Sequence, residues 1–260
     1  MLGVLGIGKM GSLIVDGIVK NGVYNKKDLL LCTKHIEQKV KLEKEGFKVT
    51  MDLNTSLLKS DMLIVSIKPQ NIDDIIPYIS KIDFSGKCII SIMASISIDF
   101  LKSIFKGASI YRCMPNIAME YSMSNTTIAF DDIKYISDVQ KIFDALGKTY
   151  LVKEVEMNYL TPLNGSMTAF LGIFAKDLID NAKKSGLGYE FIKDITLDSI
   201  ISAAELLKRS DKPIEDLVKD VCSKGGITIA GVTELYKNGF DDAIKACYEA
   251  CTYREKELRK

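Results

Sequence analysis

The stretch Leu2-Gly3-Val4-Leu5-Gly6-Ile7-Gly8-Lys9-Met10-Gly11 decides how the rest of this chain is read. A short apolar run, Leu2–Leu5, leads into Gly6-Ile7-Gly8-Lys9-Met10-Gly11, and helix-compatible sequence follows from Gly11 to Asn21. A GxGxxG pattern means little alone, but between a strand and a helix each glycine has a task. Gly6 permits a tight turn, Gly8 lets backbone approach a pyrophosphate, and Gly11 lets helix and strand pack closely. The helix N-terminus then faces the phosphates with unpaired N–H groups. Lys9 and Met10 fall inside the same turn, so the expectation is a dinucleotide site formed by Gly6, Gly8, Lys9, Met10 and Gly11.

Working outward, further apolar runs occur at Leu29–Cys32, Met62–Ile67, Cys88–Met93, Ser109–Met114 and Thr126–Phe130. They are continuous rather than alternating, as expected of strands buried on both faces of a parallel sheet. Helix-like segments such as Ile133–Leu146 separate them, which predicts βαβ units and a doubly wound α/β domain. After Val152 the texture changes. Helix-compatible blocks cover Ala169–Ser185, Glu190–Ser210, Ile214–Val221, Ile227–Lys237 and Phe240–Leu258, with Gly186-Leu187-Gly188 and Lys237-Asn238-Gly239 as stops. The expected organisation is a Rossmann-type dinucleotide-binding domain over 1–153 and an all-α substrate and dimerisation domain over 154–260. The last block carries Ala243, Ile244, Ala246, Cys247, Ala250 and Cys251 on one broad face of mostly small residues, suited to burial against a second subunit.

Charge and composition exclude several functions. There are 35 Lys+Arg against 34 Asp+Glu among 260 residues, a net charge of +1, so no basic footprint for nucleic acid or anionic membrane is expected. His35 is the one histidine, which rules out HExxH helices and His-rich zinc sites. The six cysteines contain no CxxC pair; Cys247 and Cys251, four apart, read as two buried helix neighbours. No metal site is expected. No apolar run reaches the length of a membrane span and Met1–Gly11 lacks the pattern of a signal peptide, so the expectation is a cytoplasmic protein.

The end of the second strand reads Leu31-Cys32-Thr33-Lys34-His35, where an NAD site places an acidic residue for the ribose 2′-hydroxyl. Glu37 comes one turn too late. Thr33 as a donor, with Lys34 and His35 as positive charge, suits a 2′-phosphate, so NADPH is the expected cofactor with NADH possible as well. Lys68 and Pro69, after the Met62–Ile67 run, are expected beside the same crevice, although Lys68 pointing to solvent is an equal alternative.

These pieces together resemble the pyrroline-5-carboxylate reductase family over essentially the whole chain. The matching segments appear in order: Gly6–Gly11, Ile67-Lys68-Pro69, Arg112-Cys113-Met114-Pro115-Asn116, Leu163-Asn164-Gly165-Ser166, Ser223–Gly231 and Arg254–Leu258. The resemblance implies reduction of a cyclic imino acid, 1-pyrroline-5-carboxylate, to proline, and a homodimer or a ring of dimers. It implies a catalytic Thr228, a carboxylate loop at Ser223, Gly225 and Gly226, a second substrate loop at Gly165 and Ser166, and a cofactor-ribose contact at Asn54. An imine carbon accepts hydride directly, so the chemistry asks for positioning and a proton source rather than a histidine base. The chain departs from the family at Lys224, Met167, Thr168, Ile117 and Ala118, and at Ser122 and Ser124, which stand where the family has glycines. These departures keep two other readings open: a β-hydroxyacid dehydrogenase using Lys176 as acid, and a non-catalytic NADP-binding protein.

Overall fold

The computed structural model describes Met1–Lys260. Eight strands form one sheet in the order β3-β2-β1-β4-β5-β6-β7-β8. They are β1 (Leu2–Leu5), β2 (Leu29–Cys32), β3 (Lys48–Thr50), β4 (Met62–Val65), β5 (Cys88–Ser91), β6 (Ser109–Met114), β7 (Ser124–Phe130) and β8 (Gly147–Leu151). The helices beside them are α1 (Lys9–Lys20), α2 (Ile36–Lys44), α3 (Leu53–Lys59), α4 (Ile72–Ile79), α5 (Ile98–Ile104), α6 (Ile136–Asp144) and α7 (Glu154–Asn164).

The continuous apolar runs are explained by two cores, one on each face of the sheet. Leu2 and Val4 join Ile14, Val15 and Ile18 of α1 and Val139, Ile142 and Phe143 of α6 on one face. Leu5, Leu63 and Val65 join Leu57 of α3, Ile72, Ile75 and Ile79 of α4, and Leu101 of α5 on the other. Successive strand residues point to opposite faces, so a strand buried on both has no polar position to spare. Each such side chain contributes roughly 1.5–3 kcal/mol of burial.

All neighbours pair in parallel except β6 and β7, which run antiparallel with Met114 opposite Thr127. The cause is the connection. Between β6 and β7 only Pro115–Met123 is available, with a five-residue 3₁₀ turn at Ile117–Tyr121, too little for the crossover helix a parallel pair needs. Two strands were missing from the sequence reading, β3 and β8, both at sheet edges and both partly exposed. α7 was missed as well; it begins with the Glu156 side chain accepting from the Lys153 N–H and carries Pro162 inside it.

By compactness the chain divides into Met1–Ser166 with Cys251–Lys260, and Met167–Ala250. This differs from the division by sequence texture at 153/154, because α7 lies against β7 and β6. The second unit contains α8 (Met167–Ala182), α9 (Tyr189–Arg209), α10 (Ile214–Val221), α11 (Ile227–Lys237) and most of α12 (Phe240–Leu258). Only Ala175, Ile179 and Ile192 are buried there, while Ile201, Val221 and Ile227 are 62%, 58% and 95% exposed. Gly186 and Gly239 end helical segments with φ of +81° and +75°, matching the predicted stops. Cys247 and Cys251 are half-buried rather than buried, and no cysteine is in a disulfide. No helix is long and apolar enough to cross a membrane.

Candidate active site

The strand order changes direction between β1 and β4, whose last residues, Leu5 and Val65, are paired. A crevice at such a switch point, outside the carboxyl ends of the strands, is where an open α/β sheet binds its ligand. Here a cleft of about 720 Å³ is lined by Gly6, Ile7 and Gly8 after β1, by Cys32–His35 after β2, and by Ser66–Lys68 after β4.

The glycine turn has the geometry its sequence suggests. Gly6 has a φ of +91°, a left-handed conformation costly for any side chain. A Cβ on Gly11 would lie 2.2 Å from the Gly6 carbonyl oxygen and 2.7 Å from Ser66 Oγ, so this helix–strand contact admits only glycine. A Cβ on Gly8 would meet nothing within 4 Å. Gly8 is also the N-cap of α1, with no side-chain cap and no acidic residue in the first turn. Its backbone therefore faces open space with the positive end of the helix behind it, a cradle that fits a pyrophosphate. Lys9 is exposed at the first helical position and Met10 is half-buried against the core, so neither forms the cleft wall as Gly6 and Gly8 do.

At the end of β2, Lys34 and His35 are exposed and border the cleft, and Glu37 does not border it. Thr33 borders the cleft, but its hydroxyl is buried and donates to Gln38 Oε1 while accepting from the His35 N–H. Gln38, which sequence reasoning passed over, in turn donates from Nε2 to the Ile7 carbonyl at 2.5 Å. The Thr33–Gln38 pair thus braces the glycine turn. Burial pushes the Cys32 thiol up, which keeps it uncharged at the floor of a cleft suited to anions.

Lys68 borders the cleft together with Asp74, and Pro69 starts the turn that carries the chain into α4. Asn54 is exposed in the first turn of α3, where its N–H caps onto Asp52 Oδ1 at 3.1 Å; Met51 and Leu53 border the cleft, and Asn54 does not.

The substrate-loop candidates fall in both compact units. Gly165 caps α7, its N–H donating to the Thr161 carbonyl, and Ser166 is half-buried. The preceding residue, Asn164, is buried. Its amide nitrogen donates to the Met114 carbonyl at 2.8 Å, and its own carbonyl accepts from Asn116 Nδ2 at 2.9 Å. In the second unit, Ser223–Gly226 form a tight turn closed by the Gly226 N–H donating to the Ser223 carbonyl. Gly225 there has a φ of +75° and Gly226 is the uncapped N-cap of α11. A Cβ on Gly226 would sit 2.5 Å from Ser223 Oγ. Thr228 follows on the first turn of α11, exposed. The arrangement leaves backbone N–H groups and a hydroxyl together at one helix end, a place for a carboxylate beside a hydrogen-bonding group.

Lys176 offers nothing comparable. It is exposed and pairs with Asp180 at 2.8 Å and Asp177 at 3.5 Å. The hydrogen bond with Asp180 raises its pKa, the opposite of what a general-acid lysine needs.

Comparison with known proteins identifies the family. Residues 154–258 match the family model described as pyrroline-5-carboxylate reductase dimerisation. Residues 1–95 match NADP oxidoreductase coenzyme F420-dependent. Pyrroline-5-carboxylate reductase of Staphylococcus aureus (strain COL) is 30% identical, covering 97% of this chain and 96% of its own. Pyrroline-5-carboxylate reductase 2 of Bacillus subtilis (strain 168) is 26% identical, covering 100% of this chain and 95% of its own. Among solved structures, Plasmodium falciparum pyrroline carboxylate reductase with NADP bound superposes with a TM-score of 0.89 at 25% identity, covering 100% and 98% of the two chains. With its glycine cradle, its helical second unit and relatives matched from end to end, the chain belongs to the pyrroline-5-carboxylate reductase family.

Proposed function

We propose that this protein reduces 1-pyrroline-5-carboxylate to L-proline with NADPH as hydride donor. The observation that carries the reading is the turn at Gly6–Gly11, where Gly6 holds a left-handed bend, Gly11 packs against backbone and Gly8 faces open space. Family membership supplies the reaction class. The bound cofactor would supply the hydride.

In this reading the pyrophosphate lies against the N–H groups of Gly6–Gly11 at the start of α1. Lys34 and His35 face the 2′-phosphate, a place with no competing carboxylate from the end of β2. Lys68 and Pro69 shape the crevice further along, and Asn54 serves the ribose through a side chain free to move from its exposed position. The substrate carboxylate meets the backbone of Ser223, Gly225 and Gly226, with Gly165 and Ser166 as a second loop. The Thr228 hydroxyl orients the imine nitrogen, which carries a proton while the adjacent carbon receives the hydride, so nitrogen ends as the secondary amine. Enzyme groups here position and polarise; none needs to become a nucleophile.

The domain scheme of 1–153 for cofactor and 154–260 for substrate and dimerisation belongs to the same proposal. A second copy of the chain covers the apolar residues that the helical unit leaves exposed, and rings of such dimers extend the assembly.

The test is steady-state oxidation of NADPH with 1-pyrroline-5-carboxylate and a panel of other cyclic imines. Thr228→Ala should lower kcat by about 10–100-fold with NADPH affinity unchanged, the scale of one hydrogen bond made in the transition state. Cofactor binding without turnover of any imine would overturn the proposal in favour of a non-catalytic binding protein.

A further inference from the structure

Arg112, at the fourth position of β6, is fully buried, and two carboxylates meet its guanidinium. Glu154 Oε1, from the start of α7, lies 3.2 Å from one terminal nitrogen, and Glu255 Oε1, from the last turns of α12, lies 2.8 Å from the other. Glu255 is itself buried, and its second oxygen accepts from Ser95 Oγ at 2.6 Å.

Ser95 lies in the loop that leaves the carboxyl end of β5, and its φ is +62°. This is one of two non-glycine residues in the chain with a positive φ, so the loop shape is held by its surroundings rather than by its own preference. The surroundings are specific. The Ser95 carbonyl accepts from the Lys260 N–H, the Ser97 N–H donates to the Lys260 carbonyl, and the Ile98 N–H donates to Glu154 Oε1. Glu154, Glu255 and Lys260 therefore all bond residues 95–98, and Arg112 pairs with the two glutamates. β5 is the neighbour of β4, with Ser91 opposite Val65, so its exit loop continues the same sheet edge that bears the cleft.

From this arrangement we infer that Glu255 is a positioning residue for the reaction. By clamping Arg112 on one side and Ser95 on the other, it holds the β5 exit loop in a left-handed bend beside the reacting end of the cofactor. The inference rests on the reading that NADPH lies along the carboxyl edge of the sheet. Glu255 touches neither cofactor nor substrate in this account; it acts through Ser95. The predicted signature is a loss in kcat with cofactor affinity retained, because the pyrophosphate and 2′-phosphate are held at β1 and β2.

The experiment compares Glu255→Ala, Glu255→Gln, Ser95→Gly and the Ser95→Gly/Glu255→Ala pair. Glu255→Ala should lower kcat about tenfold or more, the scale of a small misplacement at a reacting centre, while NADPH affinity by fluorescence titration stays within about twofold. Glu255→Gln, whose Oε1 can accept from Arg112 while its Nε2 donates to Ser95 Oγ in place of accepting from it, should recover most of the rate. Ser95→Gly in the Glu255→Ala background should also recover it, since glycine takes the bend without the clamp. Rescue by a glycine at 95 is not expected of a residue that only stabilises the fold.

Amide hydrogen exchange over residues 95–98 is the second readout, and it needs no turnover: exchange should quicken in Glu255→Ala and slow again in the pair. Unchanged kcat and unchanged exchange in a folded Glu255→Ala would overturn the inference, as would a loss that neither Glu255→Gln nor the pair restores. Absence of imine turnover in the unsubstituted enzyme would count against the proposed reaction and leave the exchange comparison to decide on the clamp. If Glu255→Ala does not fold, Ser95→Ala against Ser95→Gly provides the comparison, since both remove the hydroxyl that Glu255 holds and only glycine takes the bend unaided: kcat should fall and exchange quicken in Ser95→Ala alone, and equal behaviour of the two would overturn the inference.

Discussion

Gly8 and Gly11 stand three residues apart in one turn, and the structure assigns their substitution by alanine opposite outcomes. In Gly8→Ala the new methyl enters open space, and the backbone, with φ of −80° and ψ of −167°, suits alanine. Reduced freedom in the unfolded chain stabilises by about 0.4–1 kcal/mol, and the poorer N-cap costs a similar amount. The net change in Tm should be within about 2 °C, given roughly 2–4 °C per kcal/mol at this chain length. The ligand is affected instead, because the methyl occupies the approach of the pyrophosphate. Losing one or two hydrogen bonds to an ionised group costs about 1.5–3 kcal/mol each, so NADPH Kd should rise at least about tenfold.

In Gly11→Ala the methyl would meet a backbone carbonyl at 2.2 Å, which no rotamer relieves. Overpacking of about 1–3 kcal/mol follows, a fall in Tm of roughly 2–12 °C. Thermal unfolding without ligand, set beside fluorescence titration with NADPH, separates the two effects. Gly8→Ala binding NADPH like the unsubstituted protein would refute the placement of the pyrophosphate. A Gly11→Ala protein as stable as its parent would refute the packing argument.

Other predictions follow from the same geometry. Lys34→Glu should raise KM for NADPH by about 10–100-fold through loss of one charged contact and gain of a repulsion, and leave KM for NADH nearly unchanged; equal effects on both would remove Lys34 from the 2′-phosphate. Gln38→Leu breaks the link from Thr33 to the Ile7 carbonyl and should cost about 1–3 kcal/mol, since the Thr33 O–H loses its acceptor and the carbonyl its donor, measurable by chemical denaturation. Asp180 has its carboxyl lowered to about 2 by hydrogen bonds from Lys176 and Lys183. A lowered carboxyl adds stability above its unfolded pKa and loses it as pH falls toward about 2. The Asp180 carboxyl resonance should therefore titrate higher in Lys176→Ala, a variant that should still reduce imines. Ile201→Asp, placing charge on an exposed apolar side chain of α9, should shift sedimentation toward the single chain.

The buried strands were legible because burial on two faces writes an uninterrupted apolar run, and Leu2–Leu5, Leu29–Cys32 and Ser109–Met114 appear where they were expected. β3 was not legible: it is three residues long, with Lys48 exposed and Val49 and Thr50 half-buried at the sheet edge. β8 hides for the same reason, with Lys148, Tyr150 and Leu151 facing water. The glycine cradle could be read because its function constrains backbone, and backbone constraint shows as glycine. One departure from the family now has a physical sense: Ser122, where glycine was expected, has a φ of +56°, so the unusual bend persists without the residue that eases it. Gln38 gave no signal, and Glu255 stood in a matching segment with nothing to mark it as the partner of Arg112. A side chain bracing a turn from the next helix has no sequence period, and a partner for Arg112 lies 143 residues away.

That separation constrains how the protein is made. A buried guanidinium without its counter-charge destabilises strongly, by about 3–5 kcal/mol when one partner of such a pair is removed. The first unit is therefore incomplete until residues 251–260 have been made, after the whole of 167–250. Ending the chain at 153 or 166 produces a domain with Arg112 half-paired or unpaired, however natural either cut looks on paper. The last turns of α12 thus tie the centre of the first unit to a segment that follows the second unit in the chain.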